Sequence, residues 1–248
     1  MKVAAWQAPL GATGSREAAV RLLAAQVERC ESAGVEILCC PEGVLGGLAD
    51  YASRPGDIAI DAEGGELHAL LAPLASDRVA NIVGFTELGP GGRLYNSAAV
   101  LHRGAVAGIY RKLHPAIRRS VYAAGGETPV FTVGGLTFGI LICRDSTFPE
   151  PARMMAMQAA TALFIPTNNG LPRAKGGPEL VAEARNADLA RATENGVFVV
   201  RADVAGRRGD LLCWGASAIV APDGRVLRSA RRLRPDLLVA EIGSLPGS

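Results

Sequence analysis

Three stretches of this chain set a chemically active residue directly behind an apolar run of strand length. They are Leu38-Cys39-Cys40-Pro41-Glu42, Gly108-Ile109-Tyr110-Arg111-Lys112 and Gly139-Ile140-Leu141-Ile142-Cys143. A cysteine that attacks a carbonyl or nitrile carbon needs a base for its proton, and a carboxylate can serve. The anion that then develops on the substrate needs a donor or cation, and a fixed lysine can serve. Each residue also has an ordinary reading. Cys143 could be a small buried hydrophobe, Glu42 a helix cap or an arginine partner, and Lys112 part of a solvated basic pair with Arg111.

The cysteine stretch carries most local information. Behind Cys143 come Arg144-Asp145-Ser146-Thr147, then Pro149 and Glu150 at the head of a helix-forming run, Ala152–Ala160. Proline and an acid in a first turn are helix-start signals. Cys143 is therefore expected at a tight strand-to-helix corner, where a helix N-terminus would favour thiolate over thiol.

The elements that would position these residues alternate in type. Strands are expected at Lys2–Ala8, Val35–Cys40, Asn81–Thr86, Leu94–His102, Val106–Tyr110, Val130–Val133, Leu136–Ile142, Ala162–Pro166 and Gly196–Arg201. Further strands follow at Ala216–Ala221, Arg225–Ser229 and Leu237–Ile242. Ser15 caps a helix whose apolar positions Ala18, Leu22, Ala25 and Val27 run to Gly34, and further helices cover Glu66–Leu74 and Glu179–Glu194. Gly134-Gly135 is a two-residue hairpin turn and Gly89–Gly92 a longer one. Hairpins mixed with βα crossovers imply an α/β fold of two mixed sheets with helices outside. In such folds ligands sit beyond the strands' carboxyl ends, where Glu42, Lys112 and Cys143 all fall.

Composition sets outer bounds. The 248 residues show no internal linker, so one domain over residues 1–248 is expected. A net charge of +2 gives no basic face for nucleic acid, and no apolar stretch reaches membrane-spanning length. Five cysteines without a C-x-x-C pair, beside three scattered histidines, argue against a disulfide framework and a zinc site. Met1–Trp6 runs straight into a strand without a leader-like segment, and a cytoplasmic location is expected.

Taken in order, these stretches resemble the nitrilase-like carbon–nitrogen hydrolases, a family marked by a Glu–Lys–Cys triad. Pro41-Glu42-Gly43, Tyr110-Arg111-Lys112-Leu113-His114-Pro115 and Cys143-Arg144-Asp145 with Phe148-Pro149-Glu150 carry the likeness. Arg191-Ala192-Thr193-Glu194-Asn195-Gly196, Trp214-Gly215-Ala216-Ser217 and Pro222-Asp223-Gly224 add to it. The resemblance implies a four-layer α-β-β-α sandwich, no metal or organic cofactor, and a homodimer or larger homo-oligomer. It makes Glu42 the general base, Lys112 an oxyanion holder and Cys143 the nucleophile that forms a thioester, with the Arg144 backbone N–H as second oxyanion donor. Asn168 and Asn169 would line the pocket, while His114 and Asp145 would support it.

One departure stands out. Many members carry a second glutamate about seven residues beyond the lysine, where this chain has Arg118 and Arg119. A guanidinium turned into the pocket there, that of Arg118 or Arg119, would favour a small-molecule amide with an acidic tail. The Cys-x-Asp…Phe-Pro-Glu form is similar to the amidase and carbamoyl-amide branches, and the end of the chain soon after its last strand points the same way. Hydrolysis of an amide or carbamoyl C–N bond is therefore expected. The alternatives are a nitrilase, an acyltransferase with an amine acceptor, and a catalytically silent binding protein of the same fold.

Overall fold

The computed structural model describes residues 1–11 and 15–243. Its first half runs β1 (Lys2–Pro9), α1 (Arg16–Ser32), β2 (Ile37–Cys39), β3 (Ile60–Asp61), α2 (Glu66–Leu71), β4 (Ala80–Leu88), β5 (Leu94–His102) and β6 (Ala105–Arg111). Next come β7 (Val130–Val133), β8 (Leu136–Ile140), α3 (Pro149–Met157), β9 (Ala162–Pro166), β10 (Leu171–Pro172) and α4 (Glu179–Asn195). The chain then adds β11 (Phe198–Ala202), β12 (Val204–Arg208), β13 (Leu211–Cys213), β14 (Ala218–Val220), β15 (Val226–Ser229) and β16 (Asp236–Glu241).

The strands form two mixed sheets. One follows the order β10-β13-β12-β1-β2-β4-β5-β6, with β16 also on β1 and β3 on β4; the other is β15-β14-β11-β9-β8-β7. Side chains of a strand alternate between faces, and β1 shows what that does here. Val3 and Ala5 enter the core shared with the second sheet, whereas Ala4, Trp6 and Ala8 enter the core under α1. A strand buried on both faces reads as continuously apolar, as Val3–Trp6 does. On the far side, Ala152 and Met155 of α3 and Ala192 of α4 cover the second sheet. The layers are therefore helix, sheet, sheet, helix.

Local signals explain most elements. The Ser15 hydroxyl accepts from the Ala18 N–H at 3.2 Å and caps α1. Gly134 and Gly135 take φ of 54° and 86°, as a two-residue hairpin turn demands, and set Val133 opposite Leu136. Several expectations need correction. The buried stripe of α1 is Ala19, Val20, Leu23, Val27 and Cys30, while Leu22 and Ala25 face outward. This alanine-rich helix is apolar on more than one face, and the face with the bulkier set of side chains packs inward. Strands β2 and β8 stop at Cys39 and Ile140, short of the expected Cys40 and Ile142, because the chain turns there toward Glu42 and Cys143. The third helix begins at Pro149, as the proline signal implied, but ends at Met157, short of Ala160, and the second ends at Leu71, with Pro73 in a following tight turn. The β12–β13 hairpin and the short β3 and β10 were not expected; Val204–Cys213 is interrupted by Gly206, Arg207, Arg208 and Gly209, which hide its period.

Candidate active site

Glu42, Lys112 and Cys143 follow β2, β6 and β8, and the structure brings all three to one cleft of about 370 Å³. Glu42 is 2% exposed and Lys112 3%. Lys112 Nζ donates to Glu42 Oε1 at 2.6 Å, and Asn96 Nδ2 donates to the same oxygen at 2.7 Å. The other oxygen, Oε2, accepts the Asn168 backbone N–H at 3.0 Å. Glu42 also joins the two sheets, because its own N–H donates to the Thr167 carbonyl beyond β9 at 3.3 Å.

Gly84 of β4 lets this happen. A Cβ there would lie 2.6 Å from the Pro41 carbonyl oxygen and 2.9 Å from Glu42 Cα. A glycine inside a strand pattern often marks such a close backbone approach. The lysine is pinned through its backbone, which donates to Asn96 O and accepts from Gly125 N, both at 2.8 Å. Its neighbour Arg111 is not free in solvent but pairs with the buried Glu87 at 2.5 Å and lies 4.4 Å over the Tyr95 ring. The alternative of a solvated basic pair thus falls away: Arg111 goes to a partly buried ion pair and Lys112 to the cleft.

Cys143 has φ of 47°, a left-handed conformation that costs a β-carbon residue of order 1–3 kcal/mol. Its sulfur lies 3.9 Å from Asn169 Oδ1, and it alone of the five cysteines is only partly buried. Asn169 is oriented by the buried Asp203, which accepts its backbone N–H at 3.0 Å and its Nδ2 at 3.1 Å. With Nδ2 so engaged, Oδ1 turns to the sulfur.

The electrostatics correct one expectation. Burial, and then the Glu42 charge, push the Cys143 thiol up to about 12, outweighing the opposing pull of Lys112 and Arg201. The helix-start geometry therefore does not leave a resting thiolate. Cys143 opens a tight turn over Cys143–Thr147, while α3 begins only at Pro149. For Lys112, burial acts downward, but the adjoining Glu42 holds it above its ordinary value and keeps it cationic. The Lys112–Glu42 pair thus flanks a protonated thiol.

The carbon–nitrogen hydrolase family profile matches residues 2–244. The chain belongs to the carbon–nitrogen hydrolase family. It is 34% identical over 200 residues to an (R)-stereoselective amidase of a Pseudomonas species, covering 79% of this chain and 69% of that protein. It is 34% identical over 180 residues to a nitrilase of Pyrococcus abyssi, covering 72% of this chain and 65% of that protein. The matches thus span about two thirds of these relatives' length. Among solved structures, an amidase of Nesterenkonia sp. AN1 with acrylamide added at its active-site cysteine has a TM-score of 0.80 at 26% identity, over 98% of this chain and 93% of that one.

Around the cleft lies a layer of support, of which the sequence reading named His114 and Asp145 but not Tyr110, Asp188 or Arg201. Asp145, fully buried, accepts from Tyr110 Oη at 2.7 Å, His114 N at 2.8 Å, and Leu113 N and Ile142 N at 3.3 Å. It therefore clamps the segment after Lys112 to the turn that carries Cys143. Arg201 of β11 lies beneath, its guanidinium paired with Asp188 of α4 at 2.6 Å and donating to Thr167 Oγ1 at 2.7 Å and Ser146 Oγ at 2.9 Å. It thereby spans α4, the loop of Asn168 and the turn that carries Cys143.

Asn96 and Asp203 had no signal in the sequence beyond their polarity inside strand-like runs. Asn168 and Asn169 do line the cleft, as does Arg144. Arg118 and Arg119 do not: both are exposed on the loop, beyond the lining residues Pro115, Ala116 and Ile117. Cys213 is buried in β13. Among the described residues no three His, Cys, Asp or Glu side chains gather as a metal-binding group, and no helix is long and apolar enough to cross a membrane.

Proposed function

We propose that this protein hydrolyses the C–N bond of a small-molecule amide or carbamoyl amide, with Cys143 as nucleophile, Glu42 as general base and Lys112 as oxyanion holder. The reading rests on the buried Glu42–Lys112 pair opening onto the same cleft as a cysteine in a strained backbone conformation. Because the thiol rests protonated, attack is concerted with transfer of its proton to Glu42. The sulfur bonds to the amide carbon, and the oxygen's charge is met by Lys112 Nζ and the Arg144 backbone N–H, whose place at the head of a helical turn leaves it without a partner in that turn. Collapse breaks the C–N bond, and the proton on Glu42 leaves with the nitrogen as ammonia. Glu42 then takes a proton from water, which attacks the thioester; the sulfur is expelled, recovers that proton from Glu42, and the acid is released.

The relative named an amidase supports an amide substrate, as does the Cys143-Arg144-Asp145 sequence; the relative named a nitrilase keeps the nitrile in the test. The same reading places the protein in the cytoplasm and lets it self-associate through α3, whose Met154 and Met157 are exposed. The experiment is to offer matched amides and nitriles and follow ammonia, with peptide mapping after brief iodoacetamide treatment. Alkylation of Cys143 ahead of the other cysteines, with loss of amide turnover, is expected. Faster turnover of nitriles than of matching amides, or labelling elsewhere with activity retained, would overturn the assignment.

A further inference from the structure

Four charged side chains line the cleft: Glu42, Asp50, Lys112 and Arg144. Glu42 and Lys112 are engaged with each other. Asp50 is committed as well, since Ser120 Oγ lies 2.9 and 3.0 Å from its two oxygens and Val121 N donates at 2.8 Å. It holds the loop that follows the lysine. Arg144 differs. Its Nη1 donates to the Ala116 carbonyl at 3.3 Å, and no carboxylate among the described residues lies within ion-pair distance of it. A guanidinium has five N–H donors in a flat fork, so most of its capacity is unspent.

The group is exposed, and its neighbours limit where it can point. Its Cζ lies 5.8 Å from the Phe148 ring centroid, Phe148 stacks on His114 at 3.8 Å, and His114 Nδ1 is 3.1 Å from Asp145 Oδ1. Restricting the fork beforehand reduces the ordering cost of binding. We infer that the Arg144 side chain determines specificity by receiving a carboxylate carried on the acyl part of the substrate. A carboxylate can take two parallel N–H donors from such a fork, while a neutral tail leaves the cation facing water. The inference builds on the hydrolase reading of the same cleft and names its substrate class: monoamides of dicarboxylic acids or carbamoyl amino acids. Arg118 and Arg119, exposed on the adjoining loop, add positive field at the mouth without reaching the ligand.

The test uses dicarboxylic acid monoamides of graded length, carbamoyl amino acids, and neutral and cationic amides of matching length. Ammonia release is followed for the intact enzyme and for Arg144→Gln and Arg144→Lys. Binding of the same compounds to Cys143→Ala, with and without Arg144→Gln, is measured by calorimetry. Carboxylated amides should exceed neutral ones by about 10- to 100-fold in kcat/KM, the range of a charge-assisted hydrogen-bond pair. Arg144→Gln should collapse that ratio mainly through KM, and Arg144→Lys should recover part of it. The best length and head group distinguish the two substrate types. If no amide releases ammonia, the hydrolase reading falls, while the calorimetric preference still decides the role of Arg144. Equal binding of carboxylated and neutral compounds, preference for the cationic ones, or a preference that survives Arg144→Gln would overturn the inference.

Discussion

At the level of single residues, Cys143 is a thiol whose proton is kept in place by burial and by the neighbouring Glu42 charge, against the pull of Lys112 and Arg201. The signs lead to opposed effects of two substitutions. Glu42→Gln removes a charge that raises the thiol and leaves Lys112 to favour thiolate, so iodoacetamide at neutral pH should label Cys143 faster than in the parent protein. The same change should lower amide turnover by about 10²- to 10⁴-fold, because the base is gone. Lys112→Met works the other way. It removes a charge that lowers the thiol and should slow labelling, while leaving Glu42 buried without its cation at a cost of about 3–5 kcal/mol in stability. Alkylation rates with denaturant melts of both variants check the pair. Equal labelling of all three proteins would mean that the two charges do not act on the sulfur.

At the scale of elements, the site is held by crossings between strands and turns. Gly84 of β4 is one: Gly84→Ala would drive a Cβ into the Pro41 carbonyl and shift Glu42. The expected cost is about 1–3 kcal/mol of stability, typical of overpacking, with a fall in kcat larger than that destabilisation explains. Unfolding midpoints and steady-state kinetics on one preparation separate the two. The Arg201–Asp188 pair is another crossing, joining β11 to α4 with hydrogen bonds to the Cys143 turn and the Asn168 loop. Arg201→Met alone strands a buried carboxylate and should cost about 3–5 kcal/mol. Pairing it with Asp188→Leu should recover much of the stability, since an apolar pair of similar volume has no uncompensated charge. Activity should recover less, because the links to Thr167 and Ser146 stay broken. Full recovery of kcat would show that Arg201 acts on stability alone.

For the whole molecule, the four layers leave α3 on an outer face with Met154 at 52% exposure and Met157 at 81%. Two large apolar side chains on one short helix suit self-association through that face. Sedimentation velocity should show an assembly larger than the monomer, and Met157→Glu should shift it toward monomer with little change in the melting of the subunit. A parent protein that sediments as a monomer at all concentrations would remove the idea. The exposed Arg118 and Arg119 lie outside the cleft lining. Arg118→Ala and Arg119→Ala should therefore change stability by no more than about 0.5 kcal/mol and leave KM for neutral amides unaltered. A clear rise in KM for those amides would put one guanidinium in the pocket after all.

Much of this was legible in the chain itself. Apolar runs of strand length that stop at Glu42, Lys112 and Cys143 signal residues at sheet edges, because the period of a strand and the place where it ends are local properties. Alternation of helices with paired strands, and Gly134-Gly135 between two of them, likewise encode the mixed sheets through nearest-neighbour sterics. The tertiary structure alone decided what depends on distant groups meeting. Asn96 and Glu42 are 54 positions apart, and Asn169 and Asp203 are 34, so no spacing rule could pair them. The cysteine's proton was likewise undecided locally: a helix-start signal argues for thiolate, but desolvation depends on everything packed around the sulfur, and it prevails. The cleft's unspent cation follows the same logic. Adjacent positions pointed to Arg118, whereas the folding of the loop leaves that side chain outside and holds Arg144, through Ala116 and Phe148, at the cleft wall.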